Sequence, residues 1–255
     1  MSKNGIILYE KKGEIVKLSI NRPEALNSIN KDVNKGLLES LSWAEADQEV
    51  KVIILTGAGD KAFIAGADIK DMVDVDAMKA RELALYSKVV TDKIWTLKKP
   101  VIAAINGFCL GGGLEYAMCC DLRLAAENAK LGCPEVNLGI LPGSGGTQRM
   151  PRLIGLTKAK ELCMTGAIID SQEALELGLV NYVYPKETLM EETCALANKI
   201  TKKSPAALAL IKAAMNRGVE TDLETALLFE IDSFALCFAT EQQKILMMAF
   251  LNKKR

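Results

Sequence analysis

Glycines 111–113, in FCLGGGLE, stand just before a helical stretch whose first turn carries Glu115. Bare N–H groups at a helix N-terminus lie at the positive end of the helix dipole, and without side chains a negative oxygen can approach them. That suits a phosphate or a developing oxyanion. A tight turn with close strand–helix packing accounts for the same residues equally well. The spacing departs from GxGxxG, so a dinucleotide cofactor is not supported. A second carboxylate, Glu135, follows Pro134 in GCPEVNLG, and two more glycine-rich points are FIAGADI from Phe63 and LPGSGGT from Leu141. Taken singly, Glu115 is explained as a complement to the helix dipole and Glu135 as a cap or a solvated loop residue. Together, beside a preformed anion site, the two become of interest for proton transfer.

What gives the pair weight is a zero: the chain contains no histidine. This removes Ser-His-Asp and Cys-His catalysis and every His-ligated metal site. Proton transfer falls to Asp, Glu, Lys, Cys or Tyr, and a carboxylate with a shifted pKa leads that set. The seven cysteines are odd in number, include no CxxC pair and mostly have apolar neighbours. They read as buried reduced thiols, and a zinc ribbon or disulfide frame is excluded. Lys plus Arg equal Asp plus Glu at 32 each, without the basic surplus of a nucleic-acid binder. No run of eighteen apolar residues occurs, so a membrane span is not expected. The four-residue apolar run after Lys3 is too short for a secretory signal. A cytoplasmic chain is the expectation.

The elements that must position these residues alternate strand and helix. With 255 residues, 49% of them hydrophobic, the chain can bury one large core. Residues 15–20 alternate apolar and polar as a half-buried strand, and residues 50–56 (VKVIILT) form a continuous apolar, buried one. Residues 101–105, 122–125 and 180–184 are further strands, the last of these the final one. Helices are expected over 31–47, capped by Asn30, over 77–97, stopped by Pro100, and over 114–120. This order predicts an α/β fold with mostly parallel pairing. From about residue 186 the pattern is helical only. Ser204-Pro205 opens a helix that stops at Gly218, and Thr221 and Thr240 each start a capping-box pattern. The terminal ILMMAFLNKKR is apolar, then basic; docking on another subunit and docking on its own core explain it equally well.

Five segments, in order, resemble the crotonase (enoyl-CoA hydratase/isomerase) superfamily over nearly the whole chain, and within it the bacterial short-chain hydratases. They are NRPEALNSIN from Asn21, KAFIAGADIKDM from Lys61, KPVIAAINGFCLGGGLEYAMCCDLRLAA from Lys99, CPEVNLGILPGSGGTQRMPRLIG from Cys133 and SQEALELGLVNYV from Ser171. The resemblance implies a ββα spiral as catalytic core over 1–190. It implies an all-helical trimerisation region over 191–255, and a homotrimer or a dimer of trimers. It also implies the backbone N–H groups of Ala67 and Gly112 as oxyanion hole and Gly143 as a water-positioning amide. Arg22, Glu24, Ala25, Ala65, Asp68, Ile69 and Lys70 would line the CoA side. Glu115 and Glu135 match the two hydratase glutamates, which isomerases and decarboxylating relatives often lack.

The implied activity is reversible syn hydration of a trans-2-enoyl-CoA, crotonyl-CoA-like in length, to the 3-hydroxyacyl-CoA. No cofactor beyond the CoA thioester substrate, no metal, no nucleic acid and no membrane partner is expected. The rival readings are a double-bond isomerase using the same hole with one carboxylate, and a non-catalytic RNA-binding relative. Leu114, where Cys is frequent, and Gly132-Cys133, in place of a frequent Phe/Gly-Gln pair, depart from the family's pattern. Both adjoin the carboxylates and bear on acyl-chain preference more than on reaction type.

Overall fold

Residues 5–252 are described in a computed structural model; residues 1–4 and 253–255, and with them the basic end of the chain, lie outside the described residues. The chain opens with a hairpin of β1 (Ile7–Lys12) and β2 (Ile15–Ile20), followed by α1 (Lys31–Ala46). Three strand–strand–helix units come next. They are β3 (Val52–Gly57), β4 (Ala62–Ala65), α2 (Ala77–Thr96); β5 (Val101–Ile105), β6 (Phe108–Leu110), α3 (Gly112–Cys119); and β7 (Leu122–Ala126), β8 (Lys130–Gly132), α4 (Gly146–Ile154). Then follow α5 (Leu156–Thr165), β9 (Ile168–Asp170), α6 (Ser171–Glu176) and β10 (Tyr182–Tyr184). The helices α7 (Leu189–Thr201), α8 (Pro205–Gly218), α9 (Leu223–Cys237) and α10 (Glu241–Asn252) complete the described residues.

In each unit the first strand enters one sheet and the second strand enters another. The larger sheet runs β1-β2-β3-β5-β7-β10 and the smaller β4-β6-β8-β9. Each unit therefore advances both sheets by one strand and lays a helix across them, which is the ββα spiral expected above. Pairing is parallel except at β1–β2 and β8–β9.

The unbroken apolar run of β3 has a direct cause. Ile53 and Leu55 face the main core with Leu18, Leu37 and Ile105, while Val52 and Ile54 face Leu189 and Ala197 of α7. A parallel strand covered on both faces has no solvated side to be polar. The helix-only region thus begins with a helix packed on the sheet. Within that region the exposed large apolar side chains lie on α8 and beyond, with Ile231 61% and Phe234 65% exposed.

Helix starts follow side-chain capping. Asn30 accepts from the Val33 amide, Asp76 from Lys79 and Ser204 from Ala207, each satisfying one of the first-turn donors. The expected cap at Thr221 is displaced by one residue: Asp222 caps α9, accepting from the Thr225 amide, because its carboxylate also takes the Thr225 hydroxyl. At α10 Thr240 Oγ1 accepts from the Gln243 amide, but the Gln243 side chain turns to Met247 Sδ, so the reciprocal half of the box is not made.

One buried ion pair fastens α8 to the core. Lys212 Nζ donates to Asp121 Oδ2 at 2.9 Å and to the Ile94 carbonyl at 3.0 Å, and the same Asp121 oxygen accepts the Val101 amide at 2.7 Å. Removing one partner of such a pair leaves a desolvated charge without its counterion. Lys212→Met is expected to lower unfolding free energy by about 3 kcal/mol, read from urea denaturation, with Asp121→Asn added in the same chain restoring part of it. An unchanged midpoint in the single variant would show that the pair contributes nothing to stability.

Candidate active site

The site lies where the strands of the smaller sheet end. In its parallel register Ala65 of β4 stands opposite Leu110 of β6, and Leu110 opposite Gly132 of β8. Ala67 and Gly112 are each two residues beyond a paired position, and Glu135 follows three residues after Gly132. Close approach of α3 to β4 is possible because residue 113 is glycine; a Cβ there would collide with the Ile64 carbonyl oxygen. Gly111, at φ 52°, turns the chain from β6 into α3 in a left-handed conformation that glycine adopts without strain.

The two amides singled out by sequence are neighbours. Ile29 bridges to Ala67: its N–H donates to the Gly66 carbonyl, and its own carbonyl accepts the Asp68 amide. The Ala67 N–H is thereby directed away from the bridge. The Gly112 N–H is the first of α3 and has no intrahelical acceptor. Among the described residues neither N–H donates to a protein acceptor. A Cβ built on Gly112 would lie 4.0 Å from the Ala67 nitrogen and 3.9 Å from Glu115 Oε2. One built on Gly111 would lie 2.8 Å from Glu135 Oε1. Both carboxylates and the Ala67 amide therefore border the same two glycines.

The carboxylates sit in unlike surroundings. Glu115 is buried in the first turn of α3, and its Oε1 accepts the amides of Ser144 and Gly146, each at 2.7 Å. Burial raises its pKa above the ordinary carboxylate range; the Gly146 and Ser144 amides and the Arg149 guanidinium oppose that rise. Glu135 opens the 3-10 turn Pro134–Leu138, and its Oε2 is buried without a hydrogen-bond partner. Desolvation, reinforced by the negative Glu115, pushes its pKa up to about 7. The two carboxylates therefore differ in their surroundings: Glu115 Oε1 accepts two loop amides, whereas Glu135 Oε2 accepts none.

The loops expected on the CoA side come together in part. Arg22 donates through Nη2 to Asp68 Oδ2 at 2.9 Å and through Nη1 to the Ser28 carbonyl at 2.7 Å, so the two segments brace each other. The Asp68 carboxyl is held below its usual range first by that Arg22 hydrogen bond. The Ala65 amide donates to the Leu26 carbonyl. Ala25 is half-buried, whereas Glu24, Ile69 and Lys70 are exposed. Gly143 is exposed at the start of the loop that carries Ser144.

The contacts of Ser144 and Gly146 with Glu115 were not foreseen. Their signal was present: GSGG ahead of a helix is another set of bare amides, and only Gly143 had been singled out there. The Arg22–Asp68 pairing was equally hidden, because no spacing rule joins residues 46 positions apart. Cys109, Cys119, Cys120 and Cys133 are buried free thiols, as expected. Among the described residues no group of three or more His, Cys, Asp or Glu is arranged to hold a metal ion, and no helix is long and apolar enough to cross a membrane.

Comparison with known proteins bears on what this geometry is for. A short-chain enoyl-CoA hydratase of Clostridium acetobutylicum is 48% identical over 255 residues, covering 100% of this chain and 97% of its own. A crotonyl-CoA hydratase of Syntrophomonas wolfei is 49% identical over 249 residues, covering 98% and 96%. The crystal structure of an enoyl-CoA hydratase from Bacillus anthracis superposes with a TM-score of 0.93 at 40% identity, covering 97% of this chain and 96% of that one. The sequence profile of the enoyl-CoA hydratase/isomerase family matches residues 10–255. With that match running through both sheets, both carboxylates and the helical end, the chain belongs to the enoyl-CoA hydratase/isomerase family.

Proposed function

We infer that the chain adds water reversibly and syn across the double bond of a trans-2-enoyl-CoA, crotonyl-CoA-like in length, giving the 3-hydroxyacyl-CoA. The observation that carries this is the convergence of two carboxylates and two unpartnered amides on Gly111–Gly112. The thioester oxygen takes the N–H groups of Ala67 and Gly112. These polarise the enoyl system and stabilise the enolate that forms, one such donor being worth about 3 kcal/mol. Glu115 is the base: its Oε1 is held by two amides, leaving Oε2 to take a proton from water as the oxygen attacks Cβ. Glu135 is the acid, giving its proton to Cα as the enolate collapses; dehydration reverses both transfers. Oxygen and hydrogen added together equal one water, so the step needs no redox partner and no cofactor beyond the CoA carried by the substrate. Arg22, Glu24, Ala25, Ala65, Asp68, Ile69 and Lys70 form the CoA side, and the Gly143 amide steadies the attacking water.

We further propose that residues 1–190 are the catalytic core and residues 191–255 the oligomerisation region of a cytoplasmic homotrimer or dimer of trimers. Leu223, Leu228, Ile231, Phe234, Ile245 and Met248 are exposed on α9 and α10, and so many exposed apolar side chains gain by being covered with another copy. Light scattering on the eluting protein is expected to give three or six copies. A monomer at micromolar concentration would refute the assignment.

Glu135→Gln is expected to lower crotonyl-CoA turnover by about 10³-fold while CoA binding is largely kept, measured from the loss of conjugated-thioester absorbance and by calorimetry. Because Glu135 must begin protonated and its pKa is about 7, kcat/KM should fall as pH rises through that value. Near-normal hydration by the glutamine variant would take Glu135 out of the reaction. An unchanged absorbance with wild-type enzyme would instead point to a double-bond isomerase.

Gly112→Pro deletes one amide donor at a helix position that tolerates proline, and activity should disappear with it. Gly112→Ala keeps the donor and crowds the flexible tip of Ile29 at 3.1 Å, so it should retain far more activity than the proline variant. Equal activities of the two variants would exclude the amide from the mechanism.

A further inference from the structure

We propose that Arg149 is the positioning residue of the base: from the second turn of α4 it locks residues 143–145 so that the Ser144 and Gly146 amides present themselves to Glu115. The proposal rests on Glu115 being the base of the hydration inferred above. Arg149 Nη1 donates to the Ser144 carbonyl at 3.2 Å, and its backbone amide donates to the Gly145 carbonyl at 2.8 Å. The side chain thus holds the Ser144–Gly145 peptide between the two amides on Glu115 Oε1, while the backbone bond holds the peptide of the Gly146 amide. The guanidinium lies over the Trp95 ring, 5.5 Å from its centroid, and the Trp95 carbonyl accepts Asn216 Nδ2 of α8 at 2.9 Å. The arginine is therefore itself fixed from behind by α2 and α8.

Two features make the loop dependent on this clamp. Gly145 has φ 114°, and a Cβ there would collide with Arg149 Nη1, so the guanidinium occupies the space a side chain would need. Against the loop lies a cavity of about 620 Å3, bordered by Trp95, Met118, Ser144, Gly145 and Arg149. Without the arginine the loop has open volume to relax into. The amides would then leave a carboxylate that is otherwise desolvated.

Arg149 also bears on Glu115 through its charge. The groups facing Glu115 are Glu135, Tyr116 and Cys119 of its own helix, Cys133, Cys163 and Arg149. Burial raises the tyrosine and all three thiols, Cys119 to about 12. Burial favours their neutral forms, so the neighbours that bring charge to the base are Arg149 and, above its own pKa of about 7, Glu135. A cation favours the ionised form of Glu115. Its removal raises the pKa of the base, and the acidic limb of the rate profile moves to higher pH.

The experiment is crotonyl-CoA hydration by the full chain and its Arg149→Met, Arg149→Lys and Trp95→Leu variants, with kcat and KM resolved from pH 5 to pH 9. For Arg149→Met the expected result is a kcat lower by about 10²-fold, the loss typical of a misplaced catalytic group. Its KM should change little and its acidic limb should shift upward. Arg149→Lys should keep the limb near that of wild type and recover part of the turnover. Trp95→Leu should lower kcat without moving the limb. Should the methionine variant not fold, the lysine and leucine variants decide: wild-type kcat in both overturns the proposal. So does a methionine variant with an unmoved limb or with its loss confined to KM. Wild-type enzyme that hydrates no enoyl-CoA sinks the hydratase reading and this proposal together, whereas active wild type with indifferent variants sinks the proposal alone.

Discussion

A carboxylate removed from water must either take up a proton or be given donors, and the folding of this chain around Glu115 answers that constraint. The side chain is 2% exposed. Two amides at 2.7 Å replace part of its lost hydration, and they come from a loop 29 and 31 residues away in sequence. Neither the spiral of sheets nor the glycines of α3 place a charge in the core on their own account. They do so because α4 begins where its bare N-terminal amides can reach back to the first turn of α3. Hydrogen bonds to a charged acceptor are shorter and stronger than neutral ones, and here they also fix which oxygen of the carboxylate remains available.

The contrast with Glu135 follows from the same constraint. Its Oε2 is buried and unpartnered, an arrangement that penalises the anion and suits the neutral acid. Placing the second carboxylate close to the first adds repulsion in the same direction. Two residues of identical chemistry are thereby given unlike surroundings, which the proposed addition of a hydroxyl and a proton to neighbouring carbons calls for. The pair titrates as a unit, so a change in the donors around either member alters the charge of both.

How much of this was legible in the sequence depended on range. Long, strongly patterned elements were: residues 101–105 and the start of α1 at Asn30 were read as they stand. The second strand of each unit was not, because β6 and β8 have three residues each, too few for any period to show. The β4 residues, AFIA, were absorbed into a glycine-rich segment. Without those short strands the units read as strand–helix alternation, and the spiral came from the resemblance alone. Within the site, residue types were visible and partners were not. Glu115, Glu135, Ala67 and Gly112 were named, whereas LPGSGGT was seen as a glycine-rich point without its acceptor, and nothing in the spacing joined Arg149 to it.

The short strands that sequence could not show are also what makes an oxyanion site possible. Ala65 and Leu110 are paired in parallel register, so the chain leaves β4 and β6 side by side, about 4.8 Å apart. Two residues later each presents an N–H that its own sheet no longer uses. The two donors are thus the same position in successive units of the spiral, brought side by side by strand pairing. The next unit repeats the exit one strand further along, at β8, and there it supplies Glu135 instead of an amide. On the proposed assignment the hole and the acid come from three neighbouring strand ends of one sheet, and the base comes from the helix that follows the middle one. A register slip of one residue between β4 and β6 would turn the Ala67 amide to the opposite face and dismantle the site without removing a single side chain from it.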